Sequence, residues 1–180
     1  MQNSYLRRTW AEVDLDALEH NFLAIRRQTN PSAQLAAVVK ADAYGHGVGR
    51  IAPELEKLGA GWFAVSNLEE AQELRRAKIT RPVLILGYTP PEYAAMLARD
   101  GITQALLSEE YAAALSQEAQ KACVVVSAHL KIDTGMSRVG FFFQSPERDA
   151  ASVDAAEKAC RLPAPHGTGI IMHFAVGDAG

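Results

Sequence analysis

The chain has 180 residues, 48% of them hydrophobic and 22% charged, which is enough for a sizeable core and too apolar for a disordered segment. A formal net charge of -3 leaves no basic footprint for nucleic acid, and no apolar run is long enough to span a bilayer or act as a signal peptide. The expectation is a cytoplasmic globular protein with neither nucleic-acid nor membrane partners. Cys123 and Cys160 have no metal-ligand spacing and are expected to pack as small apolar groups without a disulfide. His20, His46, His129 and His166 lack metal-ligand spacing too, so no metal is expected.

In chain order, Thr9 to Leu15 alternates apolar and polar residues as an exposed-face strand does, and then a helical pattern begins. Asp16, with Glu19 three residues on, is the predicted cap. Leu18, Phe22 and Ile25 form the apolar stripe, and Asn30-Pro31 ends the helix. Leu35 to Val39 reads as a short buried strand that stops at Lys40. A long amine there is costly to bury unless paired or neutralised, which makes Lys40 a candidate for Schiff-base chemistry, with a solvated strand-end lysine as the equal alternative. In the following Tyr44-Gly45-His46-Gly47, the glycines permit a tight turn and a close ligand approach, while Tyr44 and His46 bring hydrogen-bonding groups suited to an anionic cofactor. Gly45 to Gly49 lacks the spacing of a dinucleotide fingerprint.

Strands and helices then alternate, the mark of parallel βα units. Val48 to Leu58 is a predicted helix closed by Gly59, Trp62 to Val65 a strand, and Asn67 with Glu70 a capping-box-like helix start. Pro82 to Leu86 is a strand, followed by a helix capped at Thr89-Pro90-Pro91-Glu92 and closed by Gly101. Ile102 to Leu107 is a strand, Ser108 caps a helix to about Lys121, and a strand lies within Cys123 to Ile132. Ser145-Pro146 opens the last helix, and Gly169 to Phe174 is the sixth strand of this parallel series.

Six such strands fit an open doubly wound sheet or part of a (β/α)8 barrel. Polar placement favours the barrel. Lys40 ends the first strand, Lys131 and Asp133 the fifth, and His173 the sixth, and a barrel gathers strand C-terminal ends on its active face. In His129 to Gly140, Leu130 and Ile132 suit one face, leaving Lys131 and Asp133 on the other, where two inward charges need partners.

Three stretches resemble alanine racemases: Val39 to Gly47 is similar to their pyridoxal-phosphate attachment segment, His129 to Gly140 to their lysine- and arginine-bearing strand and loop, and Met172 to Ala175 to their His-Phe-Ala segment. Trp10 to Leu15 also resembles the family's opening. The resemblance implies that Lys40 holds pyridoxal 5'-phosphate covalently and is catalytic, that Tyr44 bonds its phosphate, that Arg138 donates to its phenolic oxygen, and that His173 lies beside its pyridine ring. Lys131 becomes a candidate carbamate that orients Arg138, although a salt bridge to Asp133 or another carboxylate explains it as well. On spacing alone, His173 reads better as a satisfied core histidine.

The implied fold is α/β, a partial TIM barrel over residues 16–180 with about six of eight strands, preceded over residues 1–15 by a strand that would join a further β domain. The implied reaction is interconversion of L- and D-alanine by a homodimeric isomerase, supplying D-alanine for peptidoglycan. Family members continue through two more barrel strands and a second domain carrying an arginine at the pyridine nitrogen and a tyrosine serving as the other acid/base. Residues 1–180 alone are therefore expected to be inactive. A non-catalytic pyridoxal-phosphate carrier and a racemase for serine or another small amino acid remain as alternatives.

Overall fold

A computed structural model describes residues 10–175. Residues 10–14 carry no strand, and Thr9 of the expected opening strand lies outside the described residues. Helix α1 spans Leu15–Gln28, two residues earlier than expected, because Asp14 rather than Asp16 is its cap. One Asp14 carboxylate oxygen accepts the amides of Asp16 at 2.9 Å and Ala17 at 3.1 Å, so Asp16 supplies charge to the first turn.

Seven strands follow in one parallel sheet: β1 (Ala36–Val38), β2 (Trp62–Val65), β3 (Val83–Ile85), β4 (Ile102–Leu106), β5 (Ser127–Asp133), β6 (Phe141–Phe142) and β7 (His166–Met172). Between them run α2 (Val48–Leu58), α3 (Leu68–Arg76), α4 (Ala94–Arg99), α5 (Glu109–Lys121) and α6 (Ala150–Cys160). The strands from β1 to β5 pair with their sequence neighbours, and β7 takes the free side of β5. These six are the barrel strands expected from the sequence. The two-residue β6 is an addition, paired with Ile132 and Asp133 at the end of β5.

Curvature decides between open sheet and barrel. Trp62 on β2 and His129 on β5 have ring centroids 5.1 Å apart, although three strand spacings separate their strands, about 14 Å in a flat sheet. The sheet therefore curls around its inner face. Residues of β1, β2, β3, β5 and β7, among them Ala36, Ala64, Leu84 and Ile171, line one inner cavity of about 190 Å³. The outer face carries the main core, where Phe63, Val65, Val83, Ile85 and Ile102 meet Ile51, Leu55, Leu74, Leu97 and Leu115 of the helices. Helices on one face only, around a curling parallel sheet, are the arrangement of a partial (β/α)8 barrel.

Several predicted boundaries move. Thr89 does not cap a helix: its side chain is buried and its hydroxyl lacks a partner among the described residues, while Pro91–Tyr93 forms a 3₁₀ turn leading into α4. The last helix begins at Ala150 instead of Ser145, because the Asp149 carboxylate accepts the amides of Gln144 at 2.7 Å and Ser145 at 3.0 Å and folds that segment into a turn. β7 starts at His166, earlier than the expected Gly169, and ends at Met172. Cys123 and Cys160 are free but exposed, not packed.

At the N-terminal end of the strands, Arg75 ties two loops together. Its guanidinium donates to the carbonyls of Ile79 at 3.0 Å, Arg81 at 2.9 Å, Asp100 at 2.9 Å and Gly101 at 2.9 Å. Glu56 adds a second tie, accepting from the Thr80 amide at 2.8 Å, the Thr80 hydroxyl at 2.9 Å and the Arg81 amide at 3.1 Å. The chemistry lies at the opposite end.

Candidate active site

Lys40 follows β1 at the C-terminal end of the sheet, and strand alternation gives it the inward parity of Ala36 and Val38. The chain turns sharply there. Ala41, Asp42, Ala43 and Tyr44 all have φ between 51° and 56°, a left-handed turn that costs an L-residue about 1–2 kcal/mol at each position. Gly45 at φ 83° and Gly47 at φ 87° continue it, and a side chain at either would meet open space. Both glycines are thus required for backbone conformation and not for close packing.

Specific hydrogen bonds hold this strained turn. The Ala43 amide donates to the Val39 carbonyl at 3.0 Å, and the Asp42 carbonyl accepts from Gly45 at 3.1 Å and Gly47 at 3.0 Å. The Asp42 carboxylate takes the Val48 amide at 2.7 Å and thereby caps α2. From outside the turn comes Glu70: one carboxylate oxygen accepts the Ala41 amide at 2.9 Å and the other the Ser66 amide at 2.7 Å. Asn67 caps α3 as predicted, accepting the Glu70 amide at 2.9 Å. The reciprocal half of a capping box is absent, because the Glu70 side chain reaches Ser66 and Ala41 instead.

Tyr44 is 60% exposed, and the Lys40 ammonium sits 5.9 Å from the centre of its ring, within cation–π range. Tyr44 thus lies on the rim rather than packed beneath the turn. The His46 ring nitrogen Nδ1 is 2.9 Å from the Ala43 carbonyl, so this side chain buttresses the loop.

On β5, Lys131 and Asp133 share the inward parity of His129 while Ala128 and Leu130 join the outer core, as alternation predicts. They do not form the expected ion pair among the described residues. One Asp133 oxygen accepts the amides of Gly135 and Ser137, each at 3.0 Å, and these bonds hold its carboxyl below the usual range. Lys131 instead donates to the Ile132 carbonyl at 3.1 Å. Burial pushes its ammonium below the ordinary lysine value; Asp133 opposes that shift and the Arg138 charge adds to it. Gly140, at φ 118°, lets the returning loop pass Lys131, since a Cβ there would come within 2.6 Å of the Lys131 carbonyl oxygen.

Arg138 is exposed on that loop. His173 is exposed one residue beyond the Ile132–Met172 pair of β5 and β7, so it is not a buried core histidine. Lys40, Lys131, Arg138 and His173 therefore all follow or end strands on one rim of one parallel sheet. Sequence reasoning missed Glu70 and Asp42 as members of this site. The sequence places Glu70 in its own helix cap, and nothing in it pairs that side chain with residue 41.

The family model described as "Alanine racemase, N-terminal domain" matches residues 13–180. An alanine racemase of Desulfovibrio desulfuricans is 42% identical over 176 residues, covering 98% of this chain and 46% of its own length. A solved alanine racemase of Clostridium difficile 630 superposes with a TM-score of 0.84 at 35% identity, over 94% of this chain and 43% of that one. A solved histidine racemase of Leuconostoc mesenteroides gives 0.77 at 29% identity, over 89% and 41%. The chain spans less than half the length of these relatives. With the lysine-bearing left-handed turn and the curled parallel sheet in place, a family match over nearly all of its residues means that this chain belongs to the alanine racemase N-terminal domain family.

Proposed function

We propose that the protein, in its full encoded length, interconverts L- and D-alanine with pyridoxal 5'-phosphate and supplies D-alanine for peptidoglycan. The observation that carries this reading is Lys40, held at a strand end by a strained turn with an aromatic ring beside its amine. Backbone strain of this kind persists where function requires a fixed geometry. The rim residues fit such a cofactor: an amine for an aldehyde, a phenol for a phosphate, a guanidinium for a phenolate and an imidazole beside a ring. Lys40 would hold it covalently, Tyr44 its phosphate and Arg138 its phenolic oxygen, with His173 alongside.

The chemistry supplied by the cofactor, when bound, is delocalisation of the electron pair left at the substrate's Cα after proton loss. The Lys40 amine, once free, takes or returns that proton on one face. Arg138 keeps a positive charge at the cofactor's oxygen. Lys131, half-buried, with a lowered pKa and no carboxylate partner within ion-pair distance among the described residues, is suited to carry a carbamate that would orient Arg138. The opposite face needs a second acid/base from a longer chain or a partner subunit, in keeping with a homodimer. A cytoplasmic location and a division into an N-terminal segment joining a further β domain and a barrel from residue 16 belong to the same proposal. The likeness to a histidine racemase supports racemisation of another amino acid as the second reading.

The test is reductive labelling. Wild-type protein and Lys40→Ala are mixed with the cofactor, reduced with borohydride and digested for mass spectrometry. Label on the Lys40 peptide of the wild type alone is expected. Equal labelling of both proteins would overturn the assignment, and D-alanine formation from L-alanine, set against serine and histidine, ranks the substrates.

A further inference from the structure

We infer that Glu70 is a positioning residue for Lys40, a role that rests on the proposed function of that lysine. Its carboxylate links the two loops that follow β1 and β2, accepting the amide of Ala41, 29 residues away in sequence, at 2.9 Å and that of nearby Ser66 at 2.7 Å. The Ala41 amide belongs to the peptide that begins at Lys40, so this bond fixes the direction in which the chain leaves the lysine. Three further left-handed residues follow, Asp42, Ala43 and Tyr44, and a right-handed turn would point the Lys40 side chain elsewhere. The turn's other bonds stay within residues 39–48: Val39, Ala41, Asp42 and Ala43 supply backbone acceptors, and the Asp42 carboxylate takes the Val48 amide. Those bonds join the turn only to the α2 segment that directly continues it, whereas Glu70 ties it across to α3 and to the loop after β2.

Helix α3 does not need this carboxylate. Its start is capped by Asn67, and its inward face is anchored by buried Leu68, Ala71 and Leu74. The Glu70 side chain is thus free to serve the neighbouring loop. Two charge-assisted bonds to two loops make a rigid bracket, and a rigid bracket sets where an amine stands relative to an aldehyde.

The experiment compares wild type, Glu70→Ala and Glu70→Gln in the full encoded protein. Hydrogen exchange is followed at the Ala41 and Ser66 amides, and the rate of reductive labelling of Lys40 by pyridoxal phosphate is measured alongside, with circular dichroism as the check on folding. In Glu70→Ala, faster exchange at both amides and labelling slowed at least tenfold are expected, with the helical signal unchanged. Glu70→Gln keeps one acceptor and turns an NH₂ toward the other amide, so it should protect one amide only and label at an intermediate rate. Unchanged exchange at Ala41 in both variants would overturn the inference, as would wild-type labelling rates in both. Absence of label on wild-type Lys40 would overturn the proposed function instead, and the exchange data would then decide the role of Glu70 alone.

Discussion

His129 shows how one half-buried side chain couples curvature to pH. Its imidazole packs 5.1 Å from the Trp62 ring, its Nδ1 is buried without a partner among the described residues, and burial lowers its pKa below the ordinary 6.5. A group with a depressed folded pKa contributes stability that is full above its unfolded value and is lost as pH falls. Stability should therefore decline as pH drops below about 6.5, and His129→Leu should flatten that decline in urea midpoints measured at pH 7.5 and 5.5. Parallel declines in the two proteins would assign the effect elsewhere. The inward parity of His129 and Lys131 was legible from alternation with Leu130 and Ile132. The fate of Asp133 was not, because its choice of backbone amides over Lys131 depends on a loop geometry fixed by Gly135 and Gly140.

Among the elements, the local signals read best. Asn67, Ser108 and Gly59 act at the helix ends where the sequence places them, because caps depend on two or three adjacent residues. Thr89 and Ser145 look like equally good caps but fail. Burial orients one hydroxyl inward, and Asp149 captures the amides around the other. A two-residue strand such as β6 offers no periodicity to detect. Arg75 on α3 carries a clearer energetic consequence, since one guanidinium satisfies four loop carbonyls. Arg75→Ala should cost about 2–3 kcal/mol and lower Tm by roughly 4–12 °C, measured by calorimetry, given the strength of charge-assisted bonds and the size of the domain. A change below about 1 °C would show that water replaces the guanidinium freely.

For the whole molecule, the sheet's edges govern what residues 1–180 can do when produced alone. Among the described residues β1 and β7 each pair on one side only, leaving Val38 43%, Ile170 66% and Met172 49% exposed. In the proposed mechanism Lys40 serves one face and no second acid/base is assigned opposite it among the described residues, which predicts no alanine racemisation by this segment. Losing a positioned acid or base costs typically ~10²–10⁴-fold, and chiral chromatography of L-alanine incubations with the cofactor would measure it. Lysine-dependent turnover within about tenfold of ~1–10³ s⁻¹ would place the second base inside this segment. The barrel was legible only as a choice of polar strand ends over periodicity; its curvature needed a contact between β2 and β5 that no local pattern encodes. That contact has an optical consequence. Of the two tryptophans, Trp10 is 65% exposed and can be replaced by phenylalanine, which leaves Trp62 as the sole indole emitter, in tilted contact with an imidazole that quenches when protonated. Flattening of the sheet would part the two rings and release that quenching, so acid-dependent emission from Trp62 becomes a gauge of how tightly the strands are curled.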